Sequence, residues 1–583
     1  MNNQFSDILN TIMIYKETKQ RQIAELCGYS LGIVNKSVRA LTEEGYLDIA
    51  GAVTELGEKY IKERSPKSAV ILAAGFGMRM VPINTEVSKG LVEVGGEPLV
   101  ERHIKHLHEV GVKDIYIVVG FLKEQYEYLM DLYGVKLIVN REYKEKNNLH
   151  SVYRALKHIQ NTYIIPSDIW CKENPYRTYE SHSWYMVSEQ VQKSQVRLNR
   201  KNELVCTEGK VLGNQMVGIA YVCADDAETF AVRCRECVQL EAYDQVFWEE
   251  ALYENGKMSL PARVVSADYA VEINTYEDLR ELDENSNNLR TDAIEVIMEV
   301  MQVEAGDIRD IKVLKKGMTN RSFLFSCKGK RYIMRIPGEG TSELINRQQE
   351  ADVYRFIAGQ GICDEIVYIN PENGYKITEY IPNVRVCDYD SIEDLEKCMS
   401  KLRDFHSRKY VVSHEFDLFG QIAYYESLWR EKSVYRDYEV TRDHVLSLKT
   451  YIDAQQVEKI LCHIDANHDN FLFSQGEDGE ERLYLIDWEY AGMQDAHVDI
   501  AMFCIYAMYE REQVERLIDI YFENNCPPAV RKKIYAYIAI CGLLWSNWCE
   551  YKRQLGVEFG EYSLKQYRYA KEYYRIFQSY DED

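Results

Sequence analysis

The segment His463 to Asn470 has the form H-x-D-x4-N, and the apolar run Leu483–Ile486 that follows ends in Asp487, Trp488 and Glu489. That spacing suits phosphoryl transfer from ATP. Asp465 is placed to orient an acceptor hydroxyl and take its proton, while Asn470 and Asp487 offer hard oxygens for Mg²⁺ on the phosphates. Upstream, the strand Tyr332–Ile336 carries Arg335, a guanidinium that keeps its charge and can bridge phosphate and carboxylate. Glu350, on the helix expected next, is its partner. A second set lies nearer the N-terminus. The buried-strand run Ala69–Leu72 leads at once into Gly75, Gly77 and Arg79, with Lys89 a little further on. A strand that ends in a glycine-bearing turn lets backbone N–H groups approach phosphates. Arg79 and Lys89 can then neutralise a triphosphate and its leaving pyrophosphate.

The elements that position these groups are readable in outline. Strand–helix–strand order from Ala69 to Gly120 predicts a doubly wound, Rossmann-like α/β domain over 66–282, with ligands at the strand C-termini. The polar run Asp283–Asn288 reads as a linker, set at 283–290. Residues 291–583 begin with strands and end in long helices, the order of a two-lobed α+β fold. Within them, Lys316 to Phe325 reads as two strands around a nucleotide-covering loop. Thr378–Pro382, with Glu379, reads as a hinge whose backbone meets adenine. Residues 1–65 are helical, with a turn at Gly28–Ser30 and a short wing near Val53.

The first set of motifs resembles nucleotidyltransferases of the sugar-phosphate and choline-phosphate type, and most narrowly the bacterial choline-phosphate cytidylyltransferases. The phrases VGFLKEQYEYL from Val119 and KNNLHSVYRAL from Lys146 carry the narrower likeness, which covers 66–282. The resemblance implies that Gly75, Gly77 and Arg79 hold the triphosphate of CTP, with Lys89 on the phosphates. Asn147, Asn148 and Ser151 would read the pyrimidine, and Asp168 would bind Mg²⁺. A second metal ligand is expected within Val271–Thr275, where many relatives carry Asp at the position of Asn274; Glu272 can share that role. A quaternary ammonium wants aromatic faces, and Trp184, Tyr185 and Tyr221 lie in the matching half of the segment.

The second set resembles the choline kinase branch of the aminoglycoside-phosphotransferase-like kinases. GMTNRSFLF, YIMRIPG, FDLFGQIAYYESLW, HIDANHDNFL and LIDWEYAG carry it from about residue 295 onward. The resemblance implies an aromatic box for the trimethylammonium group. Trp545 and Trp548, three apart on an apolar helix, share a face for it, and Glu489 can add a carboxylate. Together the two sets imply a bifunctional enzyme: choline and ATP give phosphocholine, then phosphocholine and CTP give CDP-choline and pyrophosphate. Ethanolamine or another amino alcohol is the rival substrate.

The N-terminal segment resembles an all-α winged helix-turn-helix domain, in which Asn35, Lys36 and Arg39 would face a DNA groove. Residues 1–64 carry eight basic and nine acidic side chains, so no phosphate-binding stripe stands out. A DNA-binding regulator with catalytic domains used as ligand sensors is therefore a second rival reading. A net charge of -23 argues against nucleic-acid binding over the whole surface. The longest apolar run, Ile534 to Trp545, falls short of the about 20 residues a bilayer needs. The start of the chain lacks the pattern of a secretory signal, and the fifteen scattered cysteines fit a reducing cytoplasm. Cys234 and Cys237 have CxxC spacing, but no second pair completes a zinc site.

Overall fold

A computed structural model describes residues 3–200, 203–207, 211–314, 320–338, 344–476, 479–557 and 559–580. The chain divides into two compact units. The first holds Met1–Ala305 with Ile311–Val313, and the second holds Gly306–Asp310 with Leu314–Asp583.

The first unit opens with four helices, Asn3–Tyr15, Gln20–Cys27, Leu31–Glu43 and Glu55–Arg64. Gly28 ends the second with φ +73, and Ser30 caps the third by accepting from the Ile33 amide. A single bridge, Leu47 to Val53, stands where a wing was expected. Ile8, Leu9, Ile12, Ile23, Val34, Leu41 and Ile61 form the small core. These helices are built onto the α/β domain beside them. His182 meets the Asp7 carboxylate at 2.7 Å, Tyr29 donates to the other Asp7 oxygen at 2.7 Å, and Asn10 donates to the Tyr179 carbonyl.

The α/β domain has a seven-stranded sheet. Its centre is parallel: Ser68–Ala73 pairs with Asp114–Val119 and with Thr162–Pro166, and Lys136–Val139 continues one edge. The central strand is buried along its whole length, as a strand covered on both faces must be. The sheet is not wholly parallel, however. The long strand Leu212–Val222 runs antiparallel to Thr162–Pro166 and to Trp184–Lys193. That ribbon extends past the sheet and gives one wall to the cleft at the strand C-termini.

The polar run expected to be a linker is a hydrogen-bonded seam. Asn288 accepts from the Glu93 amide, Asp283 accepts from the Gly95 amide, and Ser286 donates to the Glu93 carbonyl, each at 2.7 Å. The helix Asp292–Met301 follows and belongs to the first unit, whereas the sequence placed it in the second. Cys234 and Cys237 are packed into the core of this unit, each a free thiol.

In the second unit the strands Asn320–Cys327 and Lys330–Pro337 form an antiparallel hairpin. Lys376–Glu379 lies beside the latter, and Ile366–Ile369 beside that. The helix Arg347–Ile357 packs near this sheet, and the remainder is largely helical. Pro528–Gln554 is buried from Lys533 to Lys552, which explains why its apolar character runs all round. Among the described residues, no helix is long and apolar enough to cross a membrane. The Lys316 loop lies mostly outside the described residues.

The Asp7–His182 pair gives the docked N-terminal helices a pH signature. Burial opposes both charges, yet the mutual hydrogen bond and opposite charge outweigh it, so the His182 pKa is raised and that of Asp7 lowered. A raised histidine stabilises below its unfolded pKa and loses that contribution as pH climbs through the folded value. A lowered aspartate stabilises above its unfolded pKa and loses its share as pH falls through the folded value. Docking is therefore firmest between those ranges, near pH 5–6.5. Asp7→Asn should speed amide exchange in the helix Asn3–Tyr15 by up to roughly tenfold at pH 6, and by less at pH 8. Equal effects at both values would show that the pair carries no such role.

Candidate active sites

Each unit gathers one of the two sets of candidate residues, and in the first unit they line a cleft. The cleft, of about 810 Å³, opens at the C-terminal end of the parallel strands. Gly77 needs its left-handed φ of +62 to turn the chain over Lys89, and an added Cβ would sit 3.4 Å from the Lys89 Cβ. Gly75 is exposed beside it. Asp168 ends the strand Thr162–Pro166 and forms a close ion pair with Lys89. Asn274 is fixed opposite: the Ile273 amide donates to the Asp168 carbonyl at 2.9 Å, and Asp278 accepts from the Asn274 amide at 2.9 Å.

The Asn274 Oδ1 accepts from Arg79 at 2.7 Å and from Lys89 at 2.8 Å. The oxygen expected to bind metal is thus turned to two cations, and Asp168, Glu249 and exposed Glu272 are carboxylates that line the cleft. Their hard oxygens fit Mg²⁺ chemically. Asn147 caps the helix Asn148–Ala155 and donates to the Gln245 carbonyl; Asn148 accepts from the Trp248 amide at 2.8 Å. Ser151 is buried and accepts from Asn140. All three line the cleft, and the two asparagines also tie the helix to the segment 244–248.

Of the aromatics expected near the ammonium group, Tyr185 alone lines this cleft. Trp184 and Tyr221 do not. Adjacent residues of a strand point to opposite faces, and Trp184 lies 1% exposed under Arg263, whose guanidinium is 3.6 Å from its ring. Tyr221 is buried and donates to the Arg64 carbonyl at the end of the helical segment. The sequence reading missed Glu249. It is buried, one oxygen accepts from Tyr185 at 2.9 Å, and the other has no partner among the described residues. Burial, with the charge of Glu272 adding to it, pushes its pKa up to about 7. Its only signal in the sequence is an acid next to Trp248, too common a pairing to single out.

In the second unit, Asp465, Asn470 and Asp487 are brought together as expected. Asn470 donates to the Asp465 carbonyl at 2.8 Å and to its carboxylate at 3.1 Å, and Asn467 donates to the other carboxylate oxygen at 3.0 Å. The amide of Asn470 thereby turns its donor side to Asp465, and its oxygen with that of Asp487 suits Mg²⁺. Two residues of this site have left-handed backbones, Ile464 at φ +68 and Asp487 at φ +66. A β-branched residue there costs about 1–3 kcal/mol. Asp499, fully buried and not singled out from sequence, holds the loop in place. It accepts from the amides of His463 at 2.9 Å and Ile464 at 2.7 Å, and His406 lies 3.1 Å from it.

Arg335 meets Glu350 through both terminal nitrogens. Burial would raise the Glu350 pKa, but Arg335, then Lys376 and Arg347, outweigh it and hold it at about 2. Arg347 and Lys376, both buried, were not read from sequence. Glu489 belongs to this network: it accepts from Asn320 at 3.1 Å and lies 3.5 Å from Arg347 and 3.8 Å from Arg335. Its carboxylate is thus shared with the two guanidinium groups, while the adjacent Tyr490 reaches the Trp545 ring. Glu379 also departs from expectation. Its side chain accepts from Lys330 and its amide donates to the Glu365 carbonyl, so sheet contacts occupy it.

Trp545 is 3% exposed and meets Tyr490 at 5.5 Å and Tyr506 at 5.4 Å between ring centroids. Tyr506 faces Asp465 closely enough to act on its pKa, so this aromatic group lies beside that carboxylate. Trp548 lies one layer further out, at 5.6 Å from Trp545 and 5.1 Å from Phe559. Tyr490 and Tyr506 could not be chosen from sequence among 45 tyrosines.

The MobA-like NTP transferase domain matches residues 69–171, and the Choline/ethanolamine kinase family matches residues 311–567. The chain is 30% identical over 234 residues to a choline-phosphate cytidylyltransferase of Streptococcus pneumoniae, covering 38% of this chain and 98% of that one. This chain belongs to the cytidylyltransferase family. Another relative, a 2-aminoethylphosphonate cytidylyltransferase of Lancefieldella rimae, is 31% identical, over 37% of this chain and 92% of its own. Protein LicA of Haemophilus influenzae is 26% identical, over 42% of this chain and 95% of its own. The enzyme thus joins a cytidylyltransferase domain to a choline kinase domain.

The kinase site carries a stability cost that pH should expose. Burial, then the Asp487 charge, raises Asp465 to about 8 and Glu489 to about 7. Acids whose folded pKa is raised contribute stability below their unfolded values, and that contribution is lost as pH rises through the folded ones. Without divalent cations, the melting temperature of the second unit should fall between pH 5 and pH 9. Asp487→Asn should flatten that fall by several degrees, roughly 2–4 °C for each kcal/mol. Parallel curves for the two proteins in calorimetry would refute the coupling.

Proposed function

We propose that this enzyme makes CDP-choline from choline in two steps. In the kinase domain the choline hydroxyl attacks the γ-phosphorus of ATP, Asp465 takes its proton, and ADP leaves. In the cytidylyltransferase domain a phosphate oxygen of phosphocholine attacks the α-phosphorus of CTP. The new P–O bond forms as the bond to pyrophosphate breaks. No enzyme nucleophile is needed, so positioning and charge are the protein's contribution. Arg79 and Lys89 face the triphosphate, and Gly75 and Gly77 let the backbone approach it. Asn147, Asn148 and Ser151 face the pyrimidine. Mg²⁺ would be held by Asp168 and Glu272 in one cleft and by Asn470 and Asp487 in the other, where it supplies positive charge against phosphate oxygens.

The observation that carries the choline assignment is the aromatic group of Trp545, Tyr490 and Tyr506 against Asp465. A trimethylammonium group has no N–H to donate and is held by ring faces, an attraction worth about 2 kcal/mol when desolvated. The likeness to a choline-phosphate cytidylyltransferase of Streptococcus pneumoniae supports the same substrate. A second reading applies to the first domain alone. The unpartnered oxygen of Glu249 suits an N–H donor, which favours a primary ammonium such as that of phosphoethanolamine or 2-aminoethylphosphonate.

We read the N-terminal helices as part of the cytidylyltransferase, with the arrangement of a reduced winged helix. Asn35, Lys36 and Arg39 are exposed, but Arg39 pairs with Glu43 at 2.8 Å and the segment has no excess of positive charge. Both features weigh against duplex DNA as a partner.

Mass analysis of products from choline, ATP, CTP and Mg²⁺ tests the two steps directly. Asp465→Ala should lower phosphocholine formation by about 10²–10⁴-fold and leave conversion of supplied phosphocholine intact. Asp168→Ala should do the reverse. Loss of both steps in either variant would contradict the assignment. Glu249→Gln should lower kcat/KM for phosphocholine by about tenfold or more. A wild-type enzyme that prefers phosphoethanolamine would establish the second reading.

A further inference from the structure

Asn274 is held by three independent anchors. The strand Ala270–Glu272 pairs with Ile169–Cys171, the Ile273 amide donates to Asp168, and Asp278 closes a capping box on Thr275. Its side chain therefore has a fixed position. Onto its single oxygen converge Arg79 and Lys89, which arrive from two different loops. An amide oxygen has two lone pairs, and both are used here. It carries no charge. The group Arg79, Lys89, Asp168 and Asn274 thus gathers two cations around one carboxylate and stays net positive before any phosphate arrives.

We propose that Asn274 is a neutral clasp, a positioning residue that pre-sets Arg79 and Lys89 for the triphosphate and is not a metal ligand. The proposal rests on the cytidylyl-transfer reading of this cleft. A carboxylate at the same point would balance the two cations and add opposite-charge attraction to bonds whose donors are already ionised. Incoming phosphates would then have to break those bonds. The amide orders the cations yet releases them at lower cost, and the cleft keeps its attraction for a polyanion. The same exchange leaves the divalent cation with two carboxylates, Asp168 and Glu272.

Two binding measurements on the full-length enzyme test the clasp. Mn²⁺ affinity is read by electron paramagnetic resonance without nucleotide, and CTP affinity by calorimetry at saturating Mg²⁺. Asn274→Ala should leave the Mn²⁺ Kd within about twofold and weaken CTP by about three- to tenfold. Asn274→Asp should tighten Mn²⁺ by about fivefold or more and weaken CTP by about tenfold. Weaker Mn²⁺ binding by Asn274→Ala would make the residue a metal ligand and overturn the proposal, as would unchanged CTP binding in both variants. A wild-type enzyme that binds no CTP would instead overturn the underlying reading. Thermal melts separate loss of fold from loss of the clasp. Asn274→Asp keeps the backbone anchors and stays decisive where Asn274→Ala melts early.

Discussion

On the proposed reading, both sites depend on one constraint: cations must be kept for phosphates by acids that do not fully consume them. An unpaired buried charge is costly, and a perfectly paired one is inert. The kinase domain meets this with a dense network. Arg335, Arg347 and Lys376 surround Glu350 and Glu489, so removal of one partner leaves the others to share the field. The cytidylyltransferase domain, more open, uses a sparser set in which Lys89 is divided between a carboxylate and an amide. Depth decides the difference. Arg335 and Glu350 are almost fully excluded from water, whereas Arg79 is exposed and needs only loose ordering.

Ordering in turn comes from backbone seams that hold few catalytic atoms. In the first domain, the polar run Asp283–Asn288 grips the Glu93–Gly95 turn, and the capping box at Thr275 sets the approach to Asn274. In the second, Asp499 fixes two amides of a strained loop and so sets the direction of Asp465. These residues touch no reacting group, yet the geometry of those that do follows from them.

This division accounts for what the sequence revealed. Asp465, Asn470 and Asp487 were legible because their spacing is local and their types are chemically narrow. The glycine turn and Lys89 were legible for the same reason. Glu249, Asp499, Arg347, Lys376, Tyr490 and Tyr506 were not, because each matters through a contact far along the chain. Polar composition at 283–288 read as a linker, since hydrogen-bond partners two hundred residues away leave no local trace. Trp184 and Tyr221 failed for a different reason. Strand alternation assigns opposite faces to neighbours, but only the sheet order says which face borders the cleft, and here the other face packs against the helix Leu99–Glu109.

The two domains treat a cationic head group by different physics, and this bears on where selectivity arises. Ring faces in the kinase domain reward a broad, weakly hydrated cation. The buried carboxylate of Glu249 attracts any ammonium and gives an N–H donor a further bond. On the CDP-choline reading, discrimination against ethanolamine therefore falls mainly on the first chemical step. The cytidylyltransferase domain can then be more permissive without loss of fidelity, because its substrate is what the kinase domain supplies.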